Sequence, residues 1–109
     1  MKITRYGVYW ANLDPVVASE ISKTRPVVIV SDNAMNNNLK TVVACPLTSS
    51  LHPEWRSRVQ VVIKGKESEV AVDQIRTLSR KRIYQHVGSI DPDDALKIRI
   101  LISEMYGNR

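Results

Sequence analysis

The chain has one cysteine, no phenylalanine and four glycines in 109 residues. A single thiol, Cys45, cannot close an intrachain disulfide; this excludes a cystine-stapled secreted fold and suits a reducing cytoplasm. The glycines stand apart at positions 7, 65, 88 and 107, so no glycine-rich phosphate loop exists. Cys45, His52 and His86 are the only thiol and imidazole groups, and none has a close-spaced partner of the kind a zinc site uses. No metal or other cofactor is expected. The longest purely aliphatic run, Val27 to Val30, is far shorter than the roughly 20 residues of a membrane span. Met1, Lys2 and Arg5 imitate the start of a signal peptide, but Gly7, Asn12 and Asp14 break the apolar stretch such a peptide needs. The expectation is a soluble cytoplasmic protein with no membrane partner.

The 43% hydrophobic and 25% charged composition is that of an ordinary globular protein. A length of 109 residues suits a single domain, 1–109, that buries about two-thirds of its unfolded surface. The net charge of +5 is unevenly placed. Residues 40–82 carry nine cations (Lys40, Arg56, Arg58, Lys64, Lys66, Arg76, Arg80, Lys81 and Arg82) against Glu54, Glu67, Glu69 and Asp73. The two signs balance elsewhere, so the whole excess sits in the middle of the chain. Such a segment either attracts a polyanion or is a solvated basic face.

Tyr6 to Leu13 reads as a first strand, stopped by Asp14-Pro15, and Val16 to Thr24 as a long mobile loop. Pro26 to Ser31 and Thr41 to Thr48 are β-branched, apolar runs of the kind buried on both faces, with a helical turn between them in Asp32 to Leu39. Arg58 to Ile63 and Glu69 to Thr77 read as hairpin arms around Lys64-Gly65-Lys66, followed by one short turn in Arg80 to Tyr84. A C-terminal helix is the clearest element. Asp91 suits its N-cap, Pro92 its first position and Gly107 its end, while Ile98, Leu101, Ile102 and Met105 recur at helical spacing for core packing. Five strands and this helix predict a mainly β fold with α (α+β): a small antiparallel barrel.

Three groups have the chemistry for a polar pocket. Arg25 precedes one buried strand, Thr48 and Ser49 end the other, and Asp73 is expected on a strand after Val70-Ala71-Val72. A carboxylate there needs a partner, and an arginine is the cheapest one; such a pair is more often structural than functional. Cys45 lies in an apolar strand, where thiols are usually inert. Composition and spacing go no further than a basic β domain with a polar pocket.

The order of five blocks goes further. From Val8 the chain reads V-Y-W-A-N-L-D-P, with S-E at 19–20 and T-R-P-V-V-I-V-S at 24–31. C-P-L-T-S follows at 45–49 and V-D-Q-I-R-T at 72–77. Over nearly its whole length the chain resembles the MazF/PemK family, toxin endoribonucleases of bacterial toxin–antitoxin modules. The resemblance implies an SH3-like barrel, CcdB/MazF-like, acting as a homodimer that cuts single-stranded mRNA at short preferred sequences without a metal. It further implies an acidic antitoxin as partner. Carried over by block, the catalytic candidates are Arg25 and Thr48, with Glu20 and Asp73 as alternative bases, since a guanidinium is a poor proton acceptor. Lys23, Thr24, Ser49, Gln74 and Arg76 flank them as expected RNA-binding residues. Ser19 and Ala71 stand where some members carry histidine and arginine, and the glycines usual around the loop glutamate are absent. Two alternatives share the fold: a CcdB-like gyrase poison and a plain RNA-binding barrel. The absence of a C-terminal tryptophan argues against the first, and six aromatic side chains are few for the second.

Overall fold

Two β-branched runs make the centre of the sheet. In the computed structural model, which describes residues 1–15, 17, 20–21 and 23–107, they form β2 (Thr24–Ile29) and β3 (Thr41–Thr48). They pair antiparallel with Val27 opposite Pro46 and Ile29 opposite Ala44. Alternation of side chains divides them between two cores. Val28, Cys45 and Leu47 join the cluster beneath the C-terminal helix, whereas Val27, Ile29 and Ala44 join Ile3, Tyr9 and Leu78 on the other side. Burial on both faces is why these strands lack a polar alternation.

The remaining strands are β1 (Gly7–Asn12), β4 (Arg58–Ile63), β5 (Lys66–Ala71), β6 (Arg76–Ser79) and β7 (Ile83–Ser89), giving seven among the described residues. Their order is β4-β5-β3-β2-β1-β7, with β6 also on β3. Because β3 pairs β6 through its first half and β5 through its last two residues, the sheet curls around it. The expected antiparallel β fold with a terminal helix is therefore observed as a curled half-barrel, with two more strands than the five read from the sequence.

Both extra strands have a physical origin. Thr48 faces Glu69 and Leu47 faces Val70, yet Ala44 faces Arg76. A continuous ladder would have set Ala44 against Asp73, so three residues are in excess. The chain extrudes them as a 3₁₀ turn, Val72–Gln74, closed by the Ile75 N–H on the Val72 carbonyl. Asp73 thus lies on that turn and not on the strand expected for it. β7 escaped notice because it is an edge strand on β1, with Tyr84, Gln85 and His86 exposed and irregular register.

The short helix α1 (Asn33–Asn38) starts at Asp32, whose carboxylate accepts the Met35 N–H. The terminal helix α2 (Pro92–Tyr106) begins as expected, with Asp91 accepting from the Asp93 N–H and Pro92 at its first turn. Gly107 donates back to Ser103 at its end. Ile98 is fully buried and Leu101 and Ile102 pack against the core, but Met105 stays at the surface. No described helix is long and apolar enough to cross a membrane. Of the first loop, Val16, Ala18, Ser19 and Ser22 lie outside the described residues, and with them half of the S-E block.

Candidate active site

Arg25 is the second residue of β2 and Thr48 the last of β3. The β2–β3 register, continued two residues past its last ladder pair, sets them opposite each other. Both line one cavity of about 270 Å³. Thr24, Ser49 and Ser68 add hydroxyls to its wall, and Lys64 and Lys66 bring two cations from the β4–β5 hairpin. Trp10, Pro26, Leu47, Ile63 and Val87 supply the apolar remainder. No carboxylate among the described residues lines it. Thr48 is nearly buried, and its Oγ1 accepts the Ser50 N–H at 3.1 Å. A hydroxyl has one donor and two acceptor sites, so the Thr48 O–H remains able to donate into the cavity.

The other expected residues lie around this cavity. The first loop closes on itself: Leu13 N–H donates to the Lys23 carbonyl and Lys23 N–H to Asp14 Oδ1, both within 2.9 Å. Lys23 occupies the left-handed region at φ +67°, which that closure imposes. Glu20 is exposed and accepts the Val17 N–H at 2.6 Å. Gln74 Oε1 takes the Ile21 N–H at 2.7 Å and is steadied by Arg76 Nη2 at 3.1 Å. Gln74 and Arg76 therefore hold the loop that leads to Lys23, Thr24 and Arg25. Lys23, Gln74, Arg76, Glu20 and Asp73 are not among the residues lining the cavity.

Asp73 has a different partner from the one the sequence offered. Its Oδ1 accepts from Arg58 Nε at 2.8 Å, and Arg58 Nη1 reaches Glu69 Oε2 at 2.7 Å. Glu69 is completely buried and opposite Thr48 in the ladder. Its Oε1 also accepts from Gln60 Nε2 and from the His52 N–H, each at 2.6 Å. Burial opposes ionisation of Glu69, but the bonds from Gln60, His52 and Arg58, with the Arg58 charge, outweigh it and hold the carboxyl below the usual range. Burial likewise opposes the charge on Arg58, whose pKa is nonetheless raised by its two carboxylates.

This cluster pins the loop that leaves Thr48. The His52 and Trp55 rings stack at 3.9 Å and 7°, and the Arg58 guanidinium lies over the Trp55 ring at 4.7 Å. Glu69, Arg58 and Gln60 escaped the sequence reading. The hairpin register held the signal, because a two-residue Lys64-Gly65 turn sets Gln60 directly across from Glu69.

Cys45 takes no part in such chemistry. Burial first, then the nearby Asp73 charge, push its thiol up to about 12, so almost none is thiolate at neutral pH. No three His, Cys, Asp or Glu side chains among the described residues are grouped to hold a metal ion.

The sequence and the fold both have relatives. A family model described as PemK-like, MazF-like toxin of type II toxin-antitoxin system matches residues 4–106. The endoribonuclease MazF of Staphylococcus epidermidis is 32% identical over 109 residues, covering 90% of this chain and 91% of that protein. Among solved structures, MazF from Deinococcus radiodurans superposes with a TM-score of 0.87 over 99% of both chains at 23% identity. An endoribonuclease in complex with its cognate antitoxin from Mycobacterial species gives 0.82 at 25% identity, covering 98% of this chain and 97% of that one.

Proposed function

The chain belongs to the PemK/MazF family of type II toxins, and from that membership we propose that it is a cytoplasmic, metal-independent endoribonuclease that cuts single-stranded mRNA at short preferred sequences. One observation carries the assignment of the site: Arg25 and Thr48, on neighbouring strands, share a cavity lined by cations and hydroxyls and, among the described residues, by no carboxylate. Such a cavity accepts a phosphodiester.

Cleavage without a metal uses the ribose 2′-hydroxyl as nucleophile. Its oxygen bonds to the adjacent phosphorus while its proton passes to a base. The pentacoordinate phosphorane gains negative charge, the bond to the 5′ oxygen breaks, and that oxygen departs with a proton taken from water. The products are a 2′,3′-cyclic phosphate and a 5′-hydroxyl. Arg25 grips two non-bridging oxygens through its planar fork, and the Thr48 hydroxyl donates to one of them; both bonds strengthen as charge develops. The Arg58 ion pair supports a structural role for Asp73 and leaves Glu20, exposed in the adjoining loop, as the candidate base. Lys23, Thr24, Ser49, Gln74 and Arg76 shape or contact the strand on either side.

The same cationic cavity suits an acidic antitoxin segment that folds over it, and the family's homodimer supplies the second wall of a longer groove. Incubation of the purified protein with a long mixed-sequence RNA in excess EDTA tests the function. Discrete cuts bearing cyclic or 3′ phosphates and 5′-hydroxyls are expected. Cleavage lost to the chelator and restored by magnesium or manganese overturns the mechanism.

A further inference from the structure

The β4–β5 hairpin carries two cations that the reaction above leaves unused. Lys64 and Lys66 flank Gly65 at its tip, and both line the cavity that holds Arg25 and Thr48. Both are exposed, and neither forms an ion pair among the described residues. Glu67, the nearest acid in sequence, lines a different hollow beside Gln60 and Asp94. We propose that Lys64 and Lys66 are a second phosphate-binding arm of the active site, holding the phosphate next to the one that is cut.

The backbone of the turn strengthens this reading. Ile63 and Lys66 are a ladder pair, so the turn is the two residues Lys64 and Gly65, at φ +50° and +78°. Two positive φ values define the tight hairpin turn in which asparagine–glycine is preferred. Lysine at its first position is the costlier choice for the fold, because the left-handed region crowds a Cβ and lysine lacks the short polar group with which asparagine offsets that cost through a local hydrogen bond. The chain keeps a long cation where a short polar side chain folds better. An ammonium on a flexible stem suits this task, since neighbouring phosphates of a single strand vary in position and a point charge tolerates that variation where a planar fork does not. Arg25 then grips the reacting phosphate and the hairpin grips its neighbour.

The proposal rests on the RNA-cleaving function above, so its test separates the two. The probe is a single-stranded oligonucleotide spanning a mapped cut site, with a 2′-deoxy sugar at the cut nucleotide so that it binds without reacting. The double variant Lys64→Gln/Lys66→Gln is expected to bind about tenfold more weakly. The slope of log affinity on log salt should shrink by about 0.7 for each phosphate that the variant no longer neutralises. Cleavage of the all-ribose substrate below saturation should fall about tenfold, in step with the loss of binding. Lys40→Gln/Lys97→Gln removes the same charge outside the cavity and should leave the slope unchanged. Lys64→Asn should bind more weakly while melting at the same or a higher temperature, which a folding defect cannot produce. A neutral methylphosphonate beside the cut should weaken wild type but not the double variant. Wild-type affinity and slope in Lys64→Gln/Lys66→Gln, or equal losses in both double variants, overturn the proposal alone. A wild-type protein that neither binds nor cuts RNA overturns the function, and the proposal with it.

Discussion

Two arginines on this sheet, 33 positions apart in the chain, are put to opposite uses. Arg58 has a nearly buried side chain between Glu69 and Asp73, at 2.7 and 2.8 Å. Arg25 lines an open cavity beside Lys64 and Lys66, with no carboxylate among the described residues of its wall. The first charge is neutralised and holds the 52–58 loop in place. The second stands with Lys64 and Lys66 on a cavity wall that carries, among the described residues, cations and hydroxyls and no acid, which favours a phosphate. Net charge alone does not distinguish them, since both arginines count equally toward +5.

Breaking the neutralised cluster should have the largest effect, and it should fall on stability. Glu69→Ala leaves the Arg58 charge buried and half paired, and removes the acceptor of Gln60 and of the His52 N–H. A loss of about 3–5 kcal/mol is expected, measured by denaturant unfolding. Acid should have a related effect. The folded Glu69 carboxyl sits below its ordinary value, so its stabilisation is complete above about pH 4.3 and is lost as pH falls through the folded value. Glu69→Gln should flatten that acid limb, and an unchanged limb removes Glu69 as its source.

The reverse pattern is expected in the cavity. Arg25→Ala should cost at least about 100-fold in single-turnover cleavage, near 2.7 kcal/mol of barrier, a loss larger than any accompanying shift in melting temperature accounts for. Arg25→Lys should recover little, because an ammonium lacks the fork. Near-wild-type cleavage by Arg25→Ala would falsify the proposed site.

The sequence showed one of these regions and hid the other for a reason. Arg25 and Thr48 flank β-branched runs long enough to be read as central strands, and antiparallel pairing of neighbours brings their ends together. The same logic found α2 through Asp91, Pro92 and Gly107. Asp73 misled because the strand pattern of Val70-Ala71-Val72 runs into it, and nothing local shows that β3 leaves three residues over. Glu69 showed in the sequence only as one of four acids in the middle segment and as the start of a hairpin arm; its burial depends on Arg58, eleven residues away across a hairpin. Lys64 and Lys66 looked like ordinary turn residues because their proximity to Arg25 is set by the curl of the sheet. Local signals carry elements, whereas charge pairing is decided by register.

A smaller loss is expected at Thr48. Thr48→Ala removes the hydroxyl proposed to donate to the phosphorane, and about tenfold in rate, near 1.4 kcal/mol, is the scale of one hydrogen bond to a charged oxygen. Thr48→Ser keeps the hydroxyl and should stay within about threefold. Equal losses in both variants point to the methyl group and its packing instead.

The smallest effect is expected where the two regions come closest in role, at Asp73. Its side chain is 32% exposed, so solvent screens the bond to Arg58 Nε, and Glu69 continues to hold the same guanidinium. Asp73→Asn keeps an oxygen acceptor of the same shape and removes only the charge. A stability loss of about 0.5–1 kcal/mol is expected, as for a partly exposed ion pair. Cleavage should stay within about twofold, whereas Glu20→Gln should slow it markedly without moving the melting temperature, because the Glu20 carboxylate is exposed and holds only its own loop. Thermal melts and single-turnover rates of the two variants separate the roles. If Asp73→Asn melts like the wild type but loses cleavage, the base is Asp73, and the division between a neutralised cluster and a reactive cavity fails at that residue.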